Sequence, residues 1–123
     1  MIYSHKYRLG LRFEEGDLVP QSYEKAAEWY EKAADRGSDE GQYRLGILYE
    51  TGKGVAQSFE LSAKWFRDAA VLGNMGAQYA LAQQYYHGQG VEKSYDNTIV
   101  WLKKAAESRS TPAKEALIRF GVE

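Results

Sequence analysis

Apolar positions in this chain recur at helical spacing in short blocks, separated by polar connections that contain glycine. The middle of the chain shows the pattern most fully. Gly41, Leu45, Leu48 and Tyr49 fall on one face of a helix predicted over roughly 39–51. Gly52 is placed to end it, because glycine enters the left-handed conformation without a Cβ clash. The connection Lys53-Gly54-Val55-Ala56-Gln57 follows, with Gly54 suited to a backbone that other residues avoid. Ser58 is then positioned as the N-cap of a second helix, its hydroxyl accepting an otherwise unpaired amide. Phe59, Ala63, Phe66 and Ala70 stripe that helix at i, i+4, i+7 and i+11, and Gly73 closes the block.

The block returns every 36 residues without insertion or deletion. Trp29, Trp65 and Trp101 keep this step, as do Tyr7, Tyr43 and Tyr79, and also Leu9, Leu45, Leu81 and Leu117. Gly16, Gly52 and Gly88, Ser22, Ser58 and Ser94, and the pairs Ala33-Ala34, Ala69-Ala70 and Ala105-Ala106 follow the same register. Three units result, 1–36, 37–72 and 73–108, and residues 109–123 match the opening of a fourth. With Pro112 at a tolerated early position, this remnant reads as a capping helix. A helix pair cannot bury its apolar face alone, so successive pairs must stack and share a core. The expected fold is therefore all-α: one domain, 1–123, forming a right-handed α-solenoid of three 36-residue helix-turn-helix repeats plus a C-terminal capping helix. Small residues at Gly10, Gly46 and Ala82 permit close helix approach. The tryptophans, inside the second-helix stripe, read as core, so that losing Trp65 would cost about 3–5 kcal/mol.

Units carrying Tyr-x-Leu-Gly-x-x-Tyr, Gly-x-Gly-Val and Trp-aromatic-x-x-Ala-Ala resemble Sel1-like repeats, relatives of the tetratricopeptide repeats. The middle unit has Tyr43-Arg44-Leu45-Gly46-Ile47-Leu48-Tyr49, Gly52-Lys53-Gly54-Val55, Trp65-Phe66 and Ala69-Ala70. Tetratricopeptide units run about 34 residues, and the two extra ones fall in the Gly-x-Gly-Val connection. Unit one departs with Gly16-Asp17-Leu18-Val19, which puts the conformation of its connection in question. Unit three departs with Ala82 for the glycine, Leu102 for the second aromatic and Arg109 where Gly37 and Gly73 sit.

Composition and charge act mainly by exclusion. The chain has no cysteine, which removes disulfides, thiolate metal sites and thiol catalysis. In terms of the resemblance, it also sets the chain apart from a disulfide-stapled secreted branch and points to the cytoplasm. Sixteen Lys and Arg against 17 Asp and Glu give a formal charge of −1, so neither nucleic acid nor an anionic membrane is indicated as a partner. No apolar run approaches the roughly 20 residues of a membrane helix. The basic start, Met1 to Arg12, lacks the apolar stretch of a secretory signal.

Candidate chemistry is sparse. Ser22-Tyr23-Glu24-Lys25 matches the Ser-x-x-Lys of penicillin-binding enzymes, and some relatives of the family have been linked to β-lactams. Ser58 and Ser94 keep the serine and lose the lysine, and the companion motifs are missing, so Ser22 reads as a helix cap. Gly52-Lys53-Gly54 lacks the strand and spacing of a phosphate loop. His5 and His87 lie in different units with no converging ligands, so no metal or cofactor is expected.

What remains is binding. In tetratricopeptide relatives the first helices line a concave groove, and its positions lie two before, two after, and five and six after the repeated leucine. Carried over, the resemblance assigns Tyr7, Leu11, Glu14 and Glu15; Tyr43, Ile47, Glu50 and Thr51; and Tyr79, Gln83, Tyr86 and His87. Tyrosines beside carboxylates and apolar groups suit a peptide or protein surface; the competing role for Tyr7, Tyr43 and Tyr79 is packing between units. The Lys and Asn of a chaperone-tail clamp are replaced by Tyr7 and Leu11. The expected function is a non-enzymatic, bacterial adaptor. The alternatives are an immunity or regulatory subunit that blocks an enzyme, or an activity of β-lactam-hydrolase type.

Overall fold

The computed structural model describes residues 2–122, with side chains from His5 onward. Its helices are α1 (Ile2–Glu15), α2 (Tyr23–Asp35), α3 (Asp39–Thr51), α4 (Phe59–Val71), α5 (Met75–His87), α6 (Tyr95–Glu107) and α7 (Thr111–Arg119), with no strand among the described residues. Each packs chiefly on its neighbours in the chain, first on second within a unit and second on the next unit's first. The fold is thus an all-α helical-repeat solenoid, and α7 stands where a fourth first helix would.

Local chemistry explains the helix ends. Ser22, Ser58 and Ser94 cap α2, α4 and α6, accepting from the amides of Lys25, Leu61 and Asn97 at 3.2, 3.1 and 3.1 Å. A second set of caps, Ser38, Asn74 and Ser110, starts α3, α5 and α7. The Ser22 hydroxyl is therefore occupied as a cap, and the Lys25 ammonium lies over the Phe13 ring, 5.6 Å from its centroid. Gly52 and Gly88 end α3 and α5 in the left-handed region, as the sequence requires.

The core runs as a row of clusters that straddle unit boundaries. Leu45 and Leu48 of α3 sit with Ala26, Tyr30 and Ala34 of α2, and Leu81 and Tyr85 of α5 sit with Phe66 and Ala70 of α4. Stacking therefore supplies each unit with the core it cannot make alone. Within a unit, the small residue of the first helix receives the large residue of the second. A Cβ on Gly10 would lie 2.5 Å from the Tyr30 ring, and one on Gly46 2.7 Å from the Phe66 ring. Ala82 faces the same position of α6, now Leu102, so two of the departures in unit three are one compensated exchange: a methyl gained on α5 and an aromatic ring lost from α6.

Two expectations need correction. Trp29, Trp65 and Trp101 are half-buried, not central core. Consecutive residues on a helix point about 100° apart, so only one of each Trp-aromatic pair can face the core. That residue is the second, Tyr30, Phe66 or Leu102, exposed by 0%, 1% and 2%. Trp65 and Trp101 pack at cluster margins, and all three rings lie beneath lysines: Lys32, Lys64 and Lys104 are 4.4, 3.7 and 5.7 Å from the ring centroids of Trp29, Trp65 and Trp101.

The second correction concerns the first connection, whose conformation is the same as in the other units. Leu18 adopts φ 67°, beside 77° for Gly54 and 74° for Gly90. Gly54 and Gly90 approach the backbone at the start of the preceding unit's second helix, where a Cβ would overlap Tyr23 and Phe59. Leu18 meets no such neighbour and is 80% exposed. Arg109 likewise keeps the left-handed conformation of Gly37 and Gly73. A left-handed leucine costs roughly 1–2 kcal/mol, partly offset against glycine by the freer unfolded chain. Leu18→Gly should therefore raise the unfolding free energy by about 0.5–1 kcal/mol in a urea titration; a loss would show that the Leu18 side chain makes stabilising contacts.

Candidate protein-binding groove

The predicted groove positions have three different environments, one for each unit. In unit one they are largely consumed by structure. Tyr7 is half-buried with its ring 5.9 Å from that of Tyr30, and burial raises its pKa although the neighbouring Arg44 guanidinium opposes the shift. Glu14 accepts a 2.5 Å hydrogen bond from the Tyr30 hydroxyl and lies 3.8 Å from Arg44 of α3. Burial, then that hydrogen bond to a carboxylate, push the Tyr30 pKa far up. This Tyr7, Tyr30, Glu14 and Arg44 network ties α1 and α2 to α3. Leu11 packs on the first core cluster, and Glu15 is exposed.

In unit two, Tyr43 also packs between units. Its ring lies 5.8 Å from Phe66, and its hydroxyl end is covered by Gly76 at the start of α5, where a Cβ would approach to 2.8 Å. Tyr7 and Tyr43 thus both take part in packing between helices. Ile47 is half-buried against the second core cluster. Thr51 is exposed and its hydroxyl donates to the Ile47 carbonyl at 2.9 Å. Glu50 is different: its carboxyl is half-buried, its pKa is raised by loss of water alone, and no cation pairs with it among the described residues.

That shift sets a pH dependence. A group whose pKa is higher in the folded state contributes stability below its unfolded pKa, about 4.3 for glutamate, and that contribution is lost as pH rises toward the folded value. Glu50→Gln is therefore expected to melt slightly above the parent at pH 7 and together with it near pH 4. Equal melting at both values would mean that Glu50 has a partner or is fully hydrated.

In unit three all four predicted positions converge. Tyr79, Gln83, Tyr86 and His87 line one cavity of 390 Å³ between α5, α6 and α7, floored by buried Ala82, Leu102 and Ala116. Tyr86 is half-buried, with ring centroids of His87 at 5.0 Å and of Tyr95 and Phe120 at 5.5 Å, all edge-on. The far wall is Arg119 and Phe120, residues that were not anticipated. Arg119 sits two after Leu117, the register of Leu11, Ile47 and Gln83, so extending the groove rule to the remnant would have found it. Phe120, the C-cap of α7, takes the register of Leu48 and Gln84.

No three or more His, Asp or Glu side chains among the described residues are grouped to hold a metal, and none of the described helices is long and apolar enough to cross a membrane. A repeat array whose chemistry is a surface of aromatic, apolar and charged side chains belongs with the helical-repeat scaffolds. The Sel1 repeat matches residues 6–38, 39–74 and 76–110, and the chain belongs to the Sel1 repeat family. Such proteins are in general non-enzymatic scaffolds that bind other proteins.

Solved structures similar to the chain include the following three. A protective antigen present in uropathogenic Escherichia coli strains, displaying an SLR fold, is 36% identical over 98% of this chain and 26% of that one, with a TM-score of 0.91. The present chain thus spans about a quarter of that protein. A Sel1 repeat protein from Oxalobacter formigenes is 35% identical over 95% and 88% of the two chains, with a TM-score of 0.88. Helicobacter pylori cysteine rich protein B is 27% identical over 94% and 90%, with a TM-score of 0.78. No curated protein matches the chain.

Proposed function

We propose that this chain is a non-enzymatic adaptor that binds a protein or peptide along its first helices, in the groove that runs from Leu11 past Ile47 and Glu50 to Gln83 and Tyr86. The observation that carries this reading is the convergence of Tyr79, Gln83, Tyr86 and His87 on one cavity. An aromatic-rich concave site beside half-buried apolar and acidic positions has the makeup of a protein-binding surface. Tyr7 and Tyr43 contribute by fixing the spacing of the helices, not as contacts. A bacterial, cytoplasmic setting is part of the proposal; the lack of cysteine and the relatives from Escherichia coli and Oxalobacter formigenes support it.

Ile47→Asp tests the face. Placing a carboxylate on a half-buried apolar position of α3 should abolish capture of specific partners identified by mass spectrometry. Glu28→Lys, an exposed change on α2, should leave capture intact. Both variants must first melt within a few degrees of the parent. Capture lost with Glu28→Lys and kept with Ile47→Asp would move the site to the second helices.

A further inference from the structure

The groove changes character along its length. At α3 it presents Glu50, half-buried with no cation among the described residues. At α7 it presents Arg119 beside an aromatic cavity whose lining contains no carboxylate. The cavity floor is mainly apolar, Ala82, Leu102 and Ala116, and Thr98 beside them has its hydroxyl proton committed to the Ser94 carbonyl at 2.8 Å. A volume of 390 Å³ is at the small end of ligand sites, which span roughly 300–1,000 Å³. It suits one large side chain together with the backbone that carries it.

The first helices meet at individual contacts across the groove. Asn74 at the start of α5 donates to Asp39 of α3 at 3.0 Å, and Tyr86 of α5 meets Phe120 beyond α7 at 5.5 Å. An extended chain advances about 3.3 Å per residue, so a peptide that crosses from α7 past α5 to α3 places several residues between the two charges.

We propose that the groove recognises an extended peptide by a bipolar code: a large apolar side chain enters the cavity between Tyr79, Tyr86 and Phe120, an adjacent carboxylate pairs with Arg119, and a lysine or arginine several residues away pairs with Glu50. This rests on the groove reading above and adds the chemistry of the occupant. The raised pKa of Glu50 is consistent with it, because a desolvated carboxylate gains most from an incoming cation. A phosphate-rich ligand is disfavoured by the unpaired Glu50.

Selection of phage-displayed random 12-residue peptides against the full chain tests the code. The expected consensus is an aromatic or large aliphatic residue next to Asp or Glu, with Lys or Arg at one constant spacing of several positions from it. In fluorescence anisotropy a selected peptide should lose at least tenfold in affinity for Arg119→Glu. It should regain affinity for that variant when its own acidic residue becomes lysine. Glu50→Lys, rescued by a peptide whose basic residue becomes glutamate, is the independent second arm if Arg119→Glu is misfolded. A consensus without this charge pattern, from a selection that Ile47→Asp abolishes, would overturn the code and leave the groove standing. No enrichment, or enrichment indifferent to Ile47→Asp, would overturn both.

Discussion

Phe66→Ala is expected to lower the unfolding free energy by about 3–5 kcal/mol, and Trp65→Ala one residue earlier by clearly less. Phe66 is 1% exposed and rests on Gly46, whereas Trp65 is half-buried under Lys64. Against a domain stability of roughly 5–15 kcal/mol, the loss at Phe66 threatens the whole middle of the array. The natural exchange in unit three supplies a sharper form of the test. Gly46→Ala places a methyl 2.7 Å from the Phe66 ring and should cost about 1–3 kcal/mol by overpacking. Phe66→Leu alone leaves a void and should cost a similar amount. Together they reproduce the Ala82 and Leu102 arrangement, so the double variant should recover at least about 1 kcal/mol of the summed loss. Strict additivity in a urea-unfolding cycle would show that the two positions do not fill one space.

The periodicity of 36 residues made the fold legible because it reports equivalence of position. Helix spans, the Ser22, Ser58 and Ser94 caps and the stacking direction of apolar faces all follow from local rules applied three times over. The same periodicity is silent on which of two adjacent aromatics faces inward, since both keep the step. The helical stripe of Phe59, Ala63, Phe66 and Ala70 does choose Phe66, and reading Trp65 as core as well overlooked the roughly 100° between consecutive residues. Leu18 shows the converse. A rule that asks for glycine at a left-handed position failed there, because the stronger demand at Gly54 and Gly90 is room for a neighbouring backbone that unit one does not meet.

The candidate site was legible only as a register. It named the residues of the cavity on α5, yet could not say that Glu14 would be held by Tyr30 and Arg44 while Glu50 stays unpaired. These partners come from neighbouring helices, 16 and 30 positions away from Glu14, and no motif within a unit encodes them. Arg119 was missed for a simpler reason. Its segment was read as a cap, and a cap that keeps the register of a first helix also keeps a place in the groove.

The junction between units makes a last expectation. Gly90→Ala should destabilise the protein by at least about 3 kcal/mol, about twice the effect of Gly88→Ala two residues earlier. Both glycines are left-handed, at φ 74° and 71°, so both substitutions carry the roughly 1–2 kcal/mol conformational cost of an L-residue there. They differ in what the new methyl meets. At Gly88 it finds the Lys93 Cβ at 3.2 Å, which can yield by a few tenths of an ångström. At Gly90 it overlaps the carbonyl of Phe59 and crowds the amide of Glu60, backbone groups at the start of α4 that no rotamer change can move. Relief requires units two and three to separate, and in a linear array a weakened junction uncouples the units on its two sides. Gly90→Ala should therefore broaden the denaturation curve or split it in two, while Gly88→Ala shifts a single transition. If both variants unfolded in one transition with equal midpoints, the close approach at Gly90 would carry no energetic weight and the stack would be held by its side chains alone.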